Sequence, residues 1–201
     1  MHTFILDTNF FINLQRPLGL GPTKEDVVTS LIKRTEGAVK KDELELLTTP
    51  SSFEELVGFF ENKAEISKKL LRIITIQSPD TSTLSIHAGL FVDLVEEIGK
   101  RLYKGLRITE ETVRDIIQDA EKDSRTLSET YVKQLRERYR KATREGFLDS
   151  TVDLGLILLA RQKDGILVTS DNGLLLWAQR FGCKQLLPEY FVTKLDALVN
   201  I

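Results

Sequence analysis

Apolar positions follow two rhythms along this chain. Four short apolar runs read as buried strands: Thr3-Phe4-Ile5-Leu6, Leu44 to Thr48, Ile73 to Ile76, and Ile166-Leu167-Val168-Thr169-Ser170. Elsewhere the apolar positions recur at helical spacing. Val27, Val28, Leu31 and Ile32 share one face of a helix that Thr23 is placed to cap, with Asp26 at its third position. Pro50-Ser51-Ser52 begins another helix, Phe53 to about Asn62, with Glu54 and Glu55 in its first turn. Asp7-Thr8-Asn9 turns the chain ahead of a helical turn at Phe10-Phe11-Ile12, and the proline and glycine content of 16–22 marks a loop. Late in the chain a helix from Asp149 to about Arg161 precedes the last long strand. A helix through Trp177 to Gly182 follows, then a short strand and helix between Leu186 and Leu198.

The rhythm changes from about Thr83 to Glu145, where helical spacing runs without a strand. Three helices are expected there. The first carries Ile86, Leu90, Leu94, Ile98 and Leu102, and the second carries Val113, Ile116, Ile117 and Ala120. The third opens on a capping box, Thr126-Leu127-Ser128-Glu129, with a stripe of Leu127, Tyr131, Leu135, Tyr139 and Ala142. Strands alternating with helices imply an α/β core with a parallel sheet. The layout is therefore a core of residues 1–82 and 146–201, interrupted by an all-helical insertion at 83–145.

Composition narrows the chemistry. Apolar residues make up 41% of the 201, enough for a core, and the formal charge of −2 gives no global pull toward nucleic acid. One cysteine, Cys183, cannot build a disulfide framework or thiolate cage, and two histidines, His2 and His87, leave little for a histidine-based site. The N-terminus lacks a basic region and Asp7 interrupts its apolar stretch, so no signal peptide is expected. Without a run near the ~20 apolar residues of a membrane span, the expectation is a cytoplasmic protein.

Acidic residues then acquire weight from position. Asp7 and Asp171 each end a strand, at the carboxyl edge where open α/β sheets bind ligands. Asp149 and Asp153 stand four residues apart at the start of an apolar helix and would share one face. Clustered carboxylates repel unless a cation holds them, and a hard divalent ion takes oxygen ligands. Each acid also has a plainer role available. Asp7 and Asn9, or Asp149 with Ser150, could cap helices, and Asp171-Asn172-Gly173 could be a turn. Asp153 is harder to dismiss, because a carboxylate on a largely buried helix is costly unless paired or metal-bound.

Taken together these segments resemble a known group. Leu6-Asp7-Thr8-Asn9, Phe53-Glu54-Glu55-Leu56, the Asp149/Asp153 pair and Thr169-Ser170-Asp171 resemble the PIN-like metallonucleases. The segment from Pro17 to Asp26, Lys104-Gly105-Leu106-Arg107, Leu176-Trp177-Ala178 with Gly182, and the place of the insertion are similar to the minimal RNA-free (protein-only) ribonuclease P family. That resemblance implies a three-layer PIN-like α/β core with a central parallel sheet. It also implies Mg²⁺- or Mn²⁺-dependent removal of the 5′ leader from precursor tRNA, leaving a 5′-phosphate on the tRNA. Asp7, Asp149, Asp153 and Asp171 match its acidic site. Glu54 or Glu55 would be a further ligand, Glu55 being favoured because leucine follows it, and Asn9 would orient a ligand or water. Asn172 stands where another acid would enlarge the site.

The insertion segregates its charge. Acids outnumber bases seven to three from Glu110 to Glu129, and bases outnumber acids six to one from Lys133 to Arg144. Lys133, Arg136, Arg138, Arg140, Lys141 and Arg144 could form a solvated helix face with intrahelical pairs. They could equally grip RNA phosphates, since duplex RNA is read largely by shape and backbone. The apolar stripes would bury against each other or against a second subunit. The resemblance implies the latter, with dimers assembling into a larger ring such as a dodecamer. Two other readings stay open: another PIN-type ribonuclease, toxin-like or RNA-processing, and a non-catalytic RNA-binding protein. A strand-Asp phosphatase is disfavoured, since Asn9 stands where its second Asp would be.

Overall fold

The structure is a computed structural model that describes residues 1–14, 18–122, 128–144, 147–148 and 150–199. It divides into two compact units, Met1–Ser85 with Ser150–Ile201, and Ile86–Asp149.

In the first unit, β1 (His2–Leu6), β2 (Leu44–Thr48), β3 (Ile74–Ile76), β4 (Ile166–Val168) and β5 (Lys184–Leu186) form one parallel sheet in the order β3-β2-β1-β4-β5. Phe4 pairs with Leu46 on one side of β1 and with Ile166 on the other. A central strand meets no water, and Phe4, Ile5 and Leu6 are all at most 1% exposed. Burying each such side chain contributes about 1.5–3 kcal/mol. The chain winds outward from β1 through β2 to β3, then returns to place β4 and β5 on the other side. The winding reverses between β1 and β4, and such a switch point opens a crevice at the carboxyl ends of its strands.

Helices cover both faces: α1 (Asn9–Ile12), α2 (Lys24–Lys40), α3 (Pro50–Gly58), α4 (Lys63–Leu70), α7 (Thr151–Gln162), α8 (Asn172–Arg180) and α9 (Pro188–Val199). Phe4, Leu6 and Leu46 join a core with Phe10, Val28, Leu31 and Phe191. On β1 and β4 lies α7, whose Leu156, Ile157, Leu159 and Ala160 are almost fully buried. The expected cap of α2 is present in full: the Thr23 side chain accepts from Asp26 N while the Asp26 carboxylate accepts from Thr23 N. Gly165, ahead of β4, has no room for a side chain, since a Cβ there would come 2.4 Å from Ile5 Cδ1.

Several boundaries differ from the sequence expectation. The helix opening at Pro50 stops at Gly58 rather than near Asn62, and a separate helix, α4, follows, capped by Asn62. Only Ile66 and Leu70 of α4 are buried, so its apolar signal is thin. Ser150 caps α7, accepting from Val152 N and Asp153 N, and the helix starts at Thr151.

The second unit is a hairpin of two helices, α5 (Ala88–Lys122) and α6 (Ser128–Arg144). The expected break between its first two helices is absent, and α5 runs unbroken for 35 residues. No proline interrupts it. Gly105 costs about 1 kcal/mol of helix propensity, but makes room for the Tyr139 ring, which a Cβ would meet at 2.6 Å. The expected capping box at Thr126 lies outside the described residues. Arg101 donates to the Thr143 carbonyl, Arg138 pairs with Asp115 at 2.7 Å, and Tyr131 lies in the seam opposite Thr112 and Ile116. Leu90 is buried, whereas Ile98, Leu102, Phe91, Val95 and Leu106 stand exposed. No helix among the described residues is long and apolar enough to cross a membrane.

Candidate metal centre

Asp7 leaves β1 at the switch point, its N–H donating to the Val168 carbonyl of β4 at 3.2 Å. The chain then tucks into α1, so the carboxylate points into protein and is only 5% exposed. Asp171 follows β4 by three residues and caps α8, its Oδ1 accepting from Leu174 N at 2.7 Å. That cap engages one carboxylate oxygen and leaves the other as the one a cation could use. The plainer role anticipated for Asp171 is thus real, and it also fixes the carboxylate at the sheet edge.

One buried hydroxyl ties the two acids. Thr169 Oγ1 donates to Asp7 Oδ2 at 2.6 Å and accepts from Asp171 N at 3.0 Å. Thr169 is fully buried, so no water substitutes for it. Burial pushes the Asp7 carboxyl above its usual range; the Thr169 hydroxyl and hydrogen bonds from Asn9, backbone and side chain, pull it down, and the Asp171 charge adds to the rise. A buried carboxylate repelled by a second one gains more from a cation than from any partner seen here.

Hydroxyls continue along the same edge. Thr48 Oγ1 donates to the Leu6 carbonyl at 3.0 Å, and Thr8 Oγ1 lies 3.2 Å from Ser52 Oγ in the first turn of α3. This contact brings α3 beside the turn that carries Asp7. Glu55, three residues beyond Ser52, lies some 60° round the helix from it, whereas Glu54 lies on the far side. Both glutamates are exposed. Asp153 occupies the first turn of α7 and is half-buried, four residues ahead of the fully buried Ile157.

The structure therefore brings Asp7 and Asp171 together around Thr169, with Asn9 hydrogen-bonded to Asp7, and puts Asp153 in the first turn of the helix lying on the same two strands. Asp149 lies outside the described residues. Among the described residues no three acidic, histidine or cysteine side chains close into a cage. The oxygen donors that are described suit a hard divalent ion. Sequence reasoning missed Thr169, Thr8 and Ser52 as structural partners of the acids. The only signal for Thr169 was a hydroxyl two residues ahead of a strand-end acid.

In the hairpin, Glu129, Val132, Lys133, Arg136, Glu137 and Arg140 share one face of α6. Arg138 instead turns to Asp115 of α5. Part of the charge segregation thus serves the pairing of the two helices. Lys141 is exposed, and the Arg144 side chain lies outside the described residues.

A family model described as a PINc domain ribonuclease matches residues 3–200. The RNA-free ribonuclease P of Pyrococcus furiosus is 35% identical over 200 residues, covering 100% of this chain and 96% of that protein. The RNA-free ribonuclease P of Thermodesulfovibrio yellowstonii is 36% identical over 187 residues, covering 93% and 90%. That of Ignicoccus hospitalis is 33% identical over 206 residues, covering 100% and 98%.

Proposed function

The chain belongs to the RNA-free ribonuclease P family of PINc-domain ribonucleases, and we propose that it performs that family's reaction at the carboxyl edge of β1 and β4. It is a ribonuclease P-type endoribonuclease that removes the 5′ leader of precursor tRNA. PIN-type nucleases are typically metal-dependent.

In this proposal Asp7, Asp149, Asp153 and Asp171 hold a divalent ion, Mg²⁺ or Mn²⁺, with Glu55 as a further ligand. The helical geometry at Ser52 favours Glu55 over Glu54. The ion, when bound, would make its water more acidic and so a better nucleophile, and would screen charge on the phosphoryl group. Thr169 and Asn9 orient the Asp7 carboxylate through hydrogen bonds, and the α8 cap fixes Asp171. The acids orient the attacking water in line with the scissile bond, leaving a 5′-phosphate on the tRNA and a 3′-hydroxyl on the leader. The observation that carries this reading is the fully buried Thr169 hydroxyl joining two strand-end carboxylates at the switch point.

Lys133, Arg136 and Arg140 form the RNA-contacting stripe of α6, and Lys141 and Arg144 of the same basic run serve RNA binding with them. Arg138 contributes less because Asp115 already neutralises it. Phosphate contact needs no base-specific chemistry and suits such a stripe. The exposed apolar residues of α5, Phe91, Val95, Leu102 and Leu106 among them, support a homodimer interface from which larger rings assemble. The protein acts in the cytoplasm.

A panel of RNAs incubated with purified protein and Mg²⁺ tests the proposal. One cut at the 5′ junction of a leader-bearing tRNA is expected, with none after chelation. Asp149→Asn should abolish the cut while retaining the fold and RNA binding. Scattered cutting would point to a toxin-like ribonuclease, and tight binding without cutting to an RNA-binding protein.

A further inference from the structure

A groove of about 330 Å³ opens at the same carboxyl edge, on the β2 and β3 side of the acids. One wall is Thr49-Pro50-Ser51, where β2 enters α3; a second is Ser78, Pro79 and Thr81, after β3. The third is the first two turns of α7, where Val152, Leu154 and Leu158 supply aliphatic surface and Thr151 a hydroxyl. No charged side chain lines it among the described residues. A phosphate would find no cation among those residues to offset its charge. Flat faces of proline and branched aliphatic chains, rimmed by hydroxyls, suit a planar ring that is apolar on its faces and hydrogen-bonding at its edge.

The groove lies along the same sheet edge as the acids, and two of its walls adjoin them along the chain. Ser52, next along from Ser51, is the residue whose hydroxyl touches Thr8, beside Asp7. Asp153 sits between Val152 and Leu154 of that wall, on the helix face it shares with the buried Leu156 and Ile157. A nucleotide whose phosphate lay at the acids would have its base within reach of this groove. On the tRNA side of the cut the base is paired in the acceptor stem, and on the leader side it is free to splay out. Unpaired bases are the ones proteins take into pockets.

We propose that this groove receives the unpaired nucleobase of the leader nucleotide next to the cut, positioning the scissile phosphate over the acids. The inference rests on the cleavage reading above. Ser78 and Thr151 are exposed on opposite walls, so Ser78→Phe and Thr151→Phe fill the groove without disturbing the core. Two readouts test it. The first is kcat/KM for precursor tRNA carrying either a normal or an abasic nucleotide at the leader position next to the cut. Abasic substitution and Ser78→Phe should each lower it roughly tenfold, the scale of one bound base, and together no more than either alone. Multiplying effects, or an abasic substrate cut as fast as the normal one, overturn the inference. The second readout is 2-aminopurine fluorescence at that nucleotide, followed on binding in chelator, where nothing is cut. A change that Ser78→Phe and Thr151→Phe both abolish is expected, and no change, or one that survives both variants, overturns it. A fluorescence change without any metal-dependent cutting would keep the groove as a base site and remove the cleavage reading alone.

Discussion

Thr169→Val isolates the hydroxyl on which the acid pair depends. Valine keeps the shape of threonine in a fully buried position, so packing is preserved and only the hydrogen bonds are lost. The hydrogen bond to the buried Asp7 carboxyl is worth about 1–3 kcal/mol, and the Asp171 N–H loses its acceptor for about 1 kcal/mol more. The expected destabilisation of the metal-free protein at neutral pH is therefore about 2–4 kcal/mol. At roughly 2–4 °C per kcal/mol for a chain of this size, the melting temperature should fall by about 5–15 °C. Circular dichroism melts in chelator measure this directly. Activity should fall too, through metal affinity, because a carboxylate that loses its orienting partner typically loses about 10–100-fold. The divalent-ion concentration for half-maximal cleavage should rise accordingly. Thr169→Ser restores the hydroxyl and should recover most of both effects. A Thr169→Val protein that melts within a degree or two of wild type and saturates at the same ion concentration refutes the reasoning.

Other perturbations probe separate links. Burial raises the folded-state pKa of Asp7 above its ordinary 3.8, so its contribution to stability is fully present below that value and lost as pH rises through the higher folded value. Metal-free Asp7→Asn should consequently melt above wild type at pH 7, with the gap closing toward acid pH, while cleavage is lost; thermal melts across pH give the comparison. Replacing Lys133, Arg136 and Arg140 together by alanine should flatten the salt dependence of RNA binding by about 2–3 in log–log slope. Arg138→Ala should leave that slope nearly unchanged and cost the hairpin less than ~1 kcal/mol, since its pair with Asp115 is exposed. Gly165→Ala should destabilise by about 1–3 kcal/mol in denaturant melts, because its Cβ collides with the fully buried Ile5.

The fold was legible where burial leaves a one-dimensional trace. Phe4-Ile5-Leu6 and Ile166-Leu167-Val168 are apolar on both faces because helices cover both sides of a parallel sheet. Thr23 and Asp26 formed the expected cap because that interaction is local. What failed depended on packing between distant segments. The break expected between the helices of Leu102 and Val113 does not occur, and Gly105, inside the continuous α5, makes room for Tyr139, far along the chain. Helix α4 was overlooked because its buried face is just Ile66 and Leu70. At the site, strand-end acids announced themselves by position, whereas the Thr169 link spans 162 residues and has no local signature. The basic run in α6 looked uniform in sequence. Folding distinguishes Arg138, paired across the hairpin, from the stripe at Lys133, Arg136 and Arg140.

Binding of Mn²⁺ to chelator-stripped protein, counted by the paramagnetic signal of the free ion, tests most directly whether these carboxylates grip a divalent cation. Wild type should take up the ion, and Asp7→Asn and Asp171→Asn should each weaken uptake at least about tenfold while keeping the wild-type circular dichroism spectrum. Uptake of the ion by both folded variants with the affinity of wild type would contradict it.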